Sequence, residues 1–167
     1  MQIAPWSRIK SWRCLACGKC CREYDVVLKF PEWVSIVKSF GVEYTASSID
    51  KLLLRRRPDG SCPFLYQTPT TSFCALQHAK PQACRLWPFK VLNLPKYGEP
   101  DEAAYYYGQR KLFVYVDLAC LGLQYGAPTK EFAQSTLPEF VENAFGARRR
   151  QFKSTGRLRL PPRIRTR

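Results

Sequence analysis

The stretch "CLACGKCC", residues 14–21, limits what this chain can fold into more than any other. Half of its positions are cysteine, and two of them, Cys20 and Cys21, are adjacent. Sulfur at that local density either crosslinks the chain or ligates metal. The C-x-x-C spacing suits a metal, because it brings two sulfurs to one side of a tight turn and Gly18 lets the backbone curl beneath an ion. Cys62, Cys74, Cys84 and Cys120 bring the total to eight. Cys14, Cys17 and Cys20 also have the C-x-x-C-x-x-C spacing that opens bacterial ferredoxin motifs. Eight thiolates make two four-cysteine sites or one larger cluster with spare ligands. Neighbouring Cys20 and Cys21 are expected to point different ways and to serve different sites. Soft sulfur ligands select zinc, iron–sulfur or copper(I) over magnesium and calcium, and spacing alone does not choose among them. Arg13, Lys19, Arg22 and Arg85 flank the cysteines, and positive neighbours favour thiolates. Cys120, in the apolar run "DLACLGL", reads equally well as a packed hydrophobe. His78 is the single histidine and a further candidate ligand, which eight thiols make unnecessary.

A disulfide framework is the competing reading. Eight cysteines in 167 residues fall below the density of small disulfide scaffolds. The opening "MQIAPWSRIKSW" has no apolar run of signal-peptide length, and "KLFVYVDLACLGL" is broken by Asp117 and too short to span a bilayer. The expectation is a protein without a transmembrane segment in the cytoplasm, where thiols stay reduced.

The hydropathy pattern predicts a small α+β domain over 1–147, with irregular cysteine-rich loops, short antiparallel strands and a few helices. "EYDVVLKF" reads as a strand and 31–40 as a helix, with Pro31 in the first turn, an apolar stripe of Trp33, Ile36, Val37 and Phe40, and Gly41 as the stop. "SSIDKLLLRRRPDG" reads as a second helix, capped by Ser47 or Ser48, with Ile49, Leu52 and Leu53 facing inward and Arg55–Arg57 at its negative end. "SCPFLYQ" and "SFCALQ" read as two strands joined by "TPTT". "KPQACRLWPF" is too proline-bounded for a long helix, and "KVLNLP", "AAYYYGQ" and "KLFVYVDLA" read as strands. A last helix is predicted from Thr136, where Thr136 and Glu139 have capping-box spacing and Leu137, Phe140, Val141, Ala144 and Phe145 form a buried face.

Beyond 147 the pattern dissolves into a basic arm, 148–167, expected to be flexible. It contains Arg148, Arg149, Arg150, Lys153, Arg157, Arg159, Arg163, Arg165 and Arg167 and no acid. The chain's net charge is +14, and the remaining 147 residues hold 18 basic against 13 acidic side chains. Most of the excess charge is therefore in the arm.

Three blocks in order, "CLACGKCC", "GSCPFL" and "CALQHAKPQACRLWPF", resemble the YkgJ-type cysteine-cluster family of zinc- or iron-chelating domains. Its pattern is C-x-x-C-x-x-C-C, then C-P-F-L, then C-x-I-Y-x-x-R-P-x-x-C-R-x-F-P. Cys14, Cys17, Cys20 and Cys21 match the first block, and Cys62, Pro63, Phe64 and Leu65 the second. Cys74, Leu76, Pro81, Cys84, Arg85, Trp87 and Pro88 match the third. Gln77 replaces the usual tyrosine and Lys80 the usual arginine, neither at a cysteine. The resemblance spans about residues 14–89. It implies a zinc or iron–sulfur cofactor but no particular reaction. A flagellin lysine methylase carries a similar cysteine block, so an iron–sulfur redox or protein-modifying, methylase-like enzyme is one expectation. The other is a metal-binding module that associates with RNA, DNA or a ribonucleoprotein through the arm, since nine cations supply salt-dependent phosphate affinity and arginine suits bidentate phosphate contact. Tyr105, Tyr106, Tyr107, Phe113 and Tyr115 are expected chiefly to fill the core rather than to stack bases.

Overall fold

The structure is a computed structural model and describes residues 2–77, 79–147 and 151–153. The chain opens with two short strands, β1 (Ile3–Pro5) and β2 (Ile9–Trp12), then a single helical turn, α1 (Cys20–Glu23). After β3 (Val27–Leu28) comes α2 (Phe30–Phe40), followed by β4 (Thr45–Ser47) and β5 (Leu52–Leu54). The hairpin β6 (Leu65–Gln67) and β7 (Ser72–Cys74) leads to α3 (Gln82–Leu86). The second half contains β8 (Phe89–Leu92), α4 (Pro100–Ala103), β9 (Ala104–Tyr107), β10 (Arg110–Asp117), β11 (Leu123–Tyr125) and α5 (Leu137–Ala144). This is a single α+β domain with antiparallel pairing throughout.

The run "KLFVYVD" alternates apolar side chains at the period of a strand, and it forms the hub. β10 pairs with β1, β8 and β9. Leu112, Val114 and Val116 point to one face, where they meet Ile9, Trp12, Phe89, Phe132, Leu137, Phe140 and Val141. Phe113 and Tyr115 point to the other and pack with Ala103. The predicted core role of the aromatics holds for these two; of the three consecutive tyrosines, Tyr105 and Tyr107 pack against the first core and Tyr106 is exposed. A separate core joins Val26, Leu28, Ile36 and Leu54 to Phe64, Leu65 and Leu76 of the hairpin region.

α2 follows the sequence reading. The Glu32 carboxylate accepts the Lys29 N–H at 2.8 Å, and Gly41, at φ +114°, ends the helix in a conformation side chains rarely adopt. The predicted helix over 47–57 is corrected. Leu52–Leu54 is a strand, paired with β3 on one side and β4 on the other, and Ile49, expected inside, is fully exposed. A helix of about three turns is marginal in water, whereas two flanking strands satisfy the same backbone groups cooperatively. Arg56 and Arg57 then act as staples instead of helix-end cations: Arg56 donates to the carbonyls of Arg22 and Gly60, and Arg57 to that of Pro63.

The capping box at Thr136 does not form. The helix already begins at Lys130, capped by the Thr129 hydroxyl, which accepts the Phe132 N–H at 3.2 Å, and it passes through one π turn at Phe132–Thr136 before α5. Glu139 is buried, and its Oε1 accepts the backbone N–H groups of Phe152 and Lys153 at 2.7 and 2.9 Å. The described part of the arm, 151–153, is therefore laid back on α5.

Candidate metal centre

The first cysteine loop owes its course to two residues. Ala16 sits at φ +50°, a left-handed conformation that costs a non-glycine residue about 1–2 kcal/mol, and its carbonyl accepts the Ser72 N–H at 2.7 Å. Gly18, at φ +73°, is where the hairpin presses in: a Cβ there would lie 2.8 Å from the Ser72 Cβ and 2.9 Å from the Arg22 guanidinium. A side chain at 18 would push the hairpin away, so glycine is required sterically as well as conformationally. The Cys62 N–H then donates to the Cys21 carbonyl at 2.7 Å, and Cys74 pairs with Leu65 across the hairpin. Segments some forty residues apart in sequence thus carry their cysteines to one place.

α3 delivers Cys84. Glu32, having capped α2 with one oxygen, accepts the Gln82 N–H at 2.7 Å with the other. Gln82 Nε2 donates to the Ala144 carbonyl at the end of α5, and Arg85 donates to Asn143 Oδ1 at 2.6 Å. The short helix is fixed between α2 and α5 despite having little hydrogen bonding of its own.

Cys120 arrives by a third route. β11 pairs with β2, Leu123 opposite Trp12, and the Arg13 N–H donates to the Gly122 carbonyl at 3.0 Å. The Trp12 indole N–H donates to Cys120 Sγ at 3.3 Å. Asp117, fully buried, accepts the Ala119 N–H at 3.2 Å and the Tyr24 hydroxyl at 3.3 Å through Oδ1, and Tyr24 lies on Trp87 with ring centroids 3.9 Å apart.

All eight cysteines line one cavity of about 470 Å³. Trp87, Pro88 and Phe89 form part of its wall, which is mostly apolar. None of the thiols is in a disulfide. Cys62 and Cys74 are buried, Cys17 is exposed, and the other five are half-buried. Burial pushes the thiols of Cys14, Cys62, Cys74, Cys84 and Cys120 up, because a low-dielectric wall disfavours the thiolate. Cys20 and Cys21, with sulfurs 3.9 Å apart, share a hydrogen bond that draws Cys20 down, to about 7, and drives Cys21 up. Lys80 favours the thiolates of Cys14, Cys20, Cys74 and Cys84, and Arg56 and Arg57 favour that of Cys62. The expected flanking cations are engaged elsewhere: Lys19 with Glu23, Arg22 with the Cys17 carbonyl and Arg85 with Asn143. Among the described residues, no three His, Cys, Asp or Glu side chains are gathered tightly enough to hold one ion. The sulfurs surround a space instead of converging on a point.

The chain matches the model of the CxxCxxCC family, described as a "putative zinc- or iron-chelating domain", over residues 13–121. The match takes in about two thirds of the sequence and all eight cysteines. The chain belongs to this family. No curated protein and no solved structure matches it. The family domain reaches beyond the 14–89 span of the three motif blocks and closes one residue after Cys120, so β8, β9 and β10 lie within it.

Asp117, Tyr24, Glu32 and Gly122 carry the geometry and were not assigned a role from sequence. Only Asp117 left a trace there, as a charge inside an apolar run. His78 lies outside the described residues, as do Arg148, Arg149, Arg150, Arg157, Arg159, Arg163, Arg165 and Arg167. Lys153, the one described member of that basic set, pairs with Glu131 at 3.0 Å. Among the described residues, no helix is long and apolar enough to cross a membrane.

Proposed function

We propose that this protein is a thiolate metal-binding protein of iron–sulfur type, with Cys14, Cys17, Cys20, Cys21, Cys62, Cys74, Cys84 and Cys120 as the ligands. The observation that carries it is the lining of one 470 Å³ cavity by all eight cysteines. A closed zinc site needs four sulfurs about 2.3 Å from a single ion, hence mutually in contact. Sulfurs spread around an open volume suit a polynuclear cluster, whose own iron and sulfide fill the space. Such a cluster supplies one-electron chemistry when bound. The chain's part is to hold it: Lys80 offsets thiolate charge, and Trp12, Trp87 and Phe89 keep water from the sulfurs. The test is purification without oxygen. Iron and acid-labile sulfide in near-equal amounts, with visible absorption, support the reading. A colourless protein with stoichiometric zinc refutes it in favour of structural zinc.

Association with nucleic acid rests on charge. The arm's nine cations with no acid favour it, and the Lys153–Glu131 pair removes one of them from the reckoning. Truncation after Lys153 keeps the docked residues and removes Arg157, Arg159, Arg163, Arg165 and Arg167. It should weaken RNA or DNA binding and lower the salt slope by about 0.7–0.9 for each lost phosphate contact. Equal affinity and equal salt dependence without those five arginines would count against it. An iron–sulfur redox or protein-modifying enzyme would use the same cavity, and its size beyond the needs of single ions is what favours that reading.

A further inference from the structure

The eight cysteines do not line their cavity uniformly. Cys14 and Cys120 pack against the core formed by β8, β10 and α5. Cys62 and Cys74 belong to the other core, with Cys21 and Cys84 packed on it. No cysteine is shared between the two. The backbone divides in the same way. Cys14 and Cys120 are brought together by the β2–β11 ladder, through the Arg13–Gly122 and Trp12–Cys120 hydrogen bonds. Cys21, Cys62 and Cys74 are linked by the Cys62–Cys21 hydrogen bond, the Leu65 N–H on the Cys62 carbonyl at 3.0 Å, and the Leu65–Cys74 pairing.

We infer that the cavity holds two thiolate sites, Cys14, Cys17, Cys20 and Cys120 on the β2–β11 wall and Cys21, Cys62, Cys74 and Cys84 on the wall of the hairpin and α3. The division rests on the proposed thiolate metal centre and specifies it further. Cys20 and Cys21 stand at the boundary. They are successive residues of the single turn α1, and neighbouring positions on a helix are rotated by about 100° about its axis. Cys21 completes a set of four with Cys62, Cys74 and Cys84, and Cys20 does so with Cys14, Cys17 and Cys120. Four thiolates per site is the number that cubane-type centres take.

The test uses the full chain, reconstituted without oxygen with ferrous iron and sulfide, and measures iron and sulfide per chain. Two double variants are compared, Cys14→Ser with Cys120→Ser and Cys21→Ser with Cys84→Ser. All four positions are half-buried, which limits the packing cost. Each double variant should keep half of the wild-type iron, and the quadruple variant none. Loss of all iron in both doubles means one shared centre and overturns the division. Full retention in one and total loss in the other means a single centre with four bystanders, and overturns it equally. Wild type that takes up no iron sinks the proposed centre itself, a result distinct from either. Should a variant lose its far-ultraviolet circular dichroism, native mass spectrometry of loaded wild type decides: two clusters per chain support the division and one refutes it.

Discussion

Gly122→Ala is a demanding test of how the cavity is closed. Glycine at 122 is not there for backbone freedom, since no left-handed φ occurs at that position. Replacing glycine by alanine at such a site ordinarily stabilises a protein by about 0.4–1 kcal/mol, through the unfolded state. Here the added Cβ would fall on the Arg13 carbonyl oxygen, 3.0 Å from its carbon and 3.4 Å from the Trp12 indole nitrogen. Backbone cannot swing aside as a flexible side chain can, so β11 must move off β2. The cost combines overpacking, about 1–3 kcal/mol, with loss of the Arg13–Gly122 hydrogen bond, about 1 kcal/mol. Less the unfolded-state gain, a net loss of about 1–3.5 kcal/mol should lower the urea midpoint by roughly 0.5–1.8 M for an m-value near 2 kcal/mol/M. Gly60→Ala is the control. Gly60 has φ +79° and no atom within 4 Å of a Cβ, so only left-handed strain applies, about 1–2 kcal/mol. An unchanged or raised midpoint for Gly122→Ala would show that β2 and β11 do not approach as closely as described.

Three further outcomes are expected. Glu139→Ala leaves the Phe152 and Lys153 N–H groups without their acceptor, so hydrogen exchange at those two amides should rise to the rate of free chain while amides in β10 stay protected; retained protection would mean that 151–153 is held by something else. In the metal-free protein, Cys62, Cys74 and Cys84 are raised by burial above the ordinary thiol value of 9.0, so their contribution is intact below pH 9 and is lost as pH climbs through the raised values. Cys20 is lowered, so its contribution has the opposite sign, present above 9 and lost as pH falls through about 7, and it is outnumbered. Denaturation midpoints of metal-free protein should therefore drop above pH 9, whereas loaded protein, in which protons compete with metal, should weaken as pH falls; parallel pH profiles would contradict this. Stripping the metal should lower the melting temperature by well over 10 °C and expose 14–89 to protease first, and an unchanged melt after verified removal would deny the centre a structural role.

The sequence made the hairpin, α2, β8, β9 and β10 legible because each has a local cause: turn chemistry at "TPTT", the stripe around Ile36, the alternation of 112–116. Seven of the eight cysteines could be collected from the three motif blocks, whereas Cys120 read equally well as a packed hydrophobe. The misreadings share one origin. "DKLLLRRR" has helical composition, but β3 and β4 on either side decide its state, and neither is visible from within the segment. β1, β2 and β11 are three or four residues long and owe their existence to partners over a hundred residues away. Thr136 and Glu139 had the right spacing for a cap, yet the helix had already begun at Lys130, and Glu139 was committed to the returning chain. The roles of Asp117, Tyr24 and Glu32 depend on what lies across the cavity, which no local pattern records.

The ladder between β2 and β11 has a consequence for how such a domain can be carried. The family domain runs from 13 to 121, and the Arg13–Gly122 hydrogen bond ties its first residue to the residue just past its last, about 5 Å apart as neighbouring strands are. Entry and exit therefore coincide. A host protein could accept 13–121 by opening a gap no wider than that between two strands, provided it supplies the part that Ile9, Trp12, Phe132, Leu137, Phe140 and Val141 play in the core here. The metal centre would travel with it complete, since no cysteine lies outside those ends.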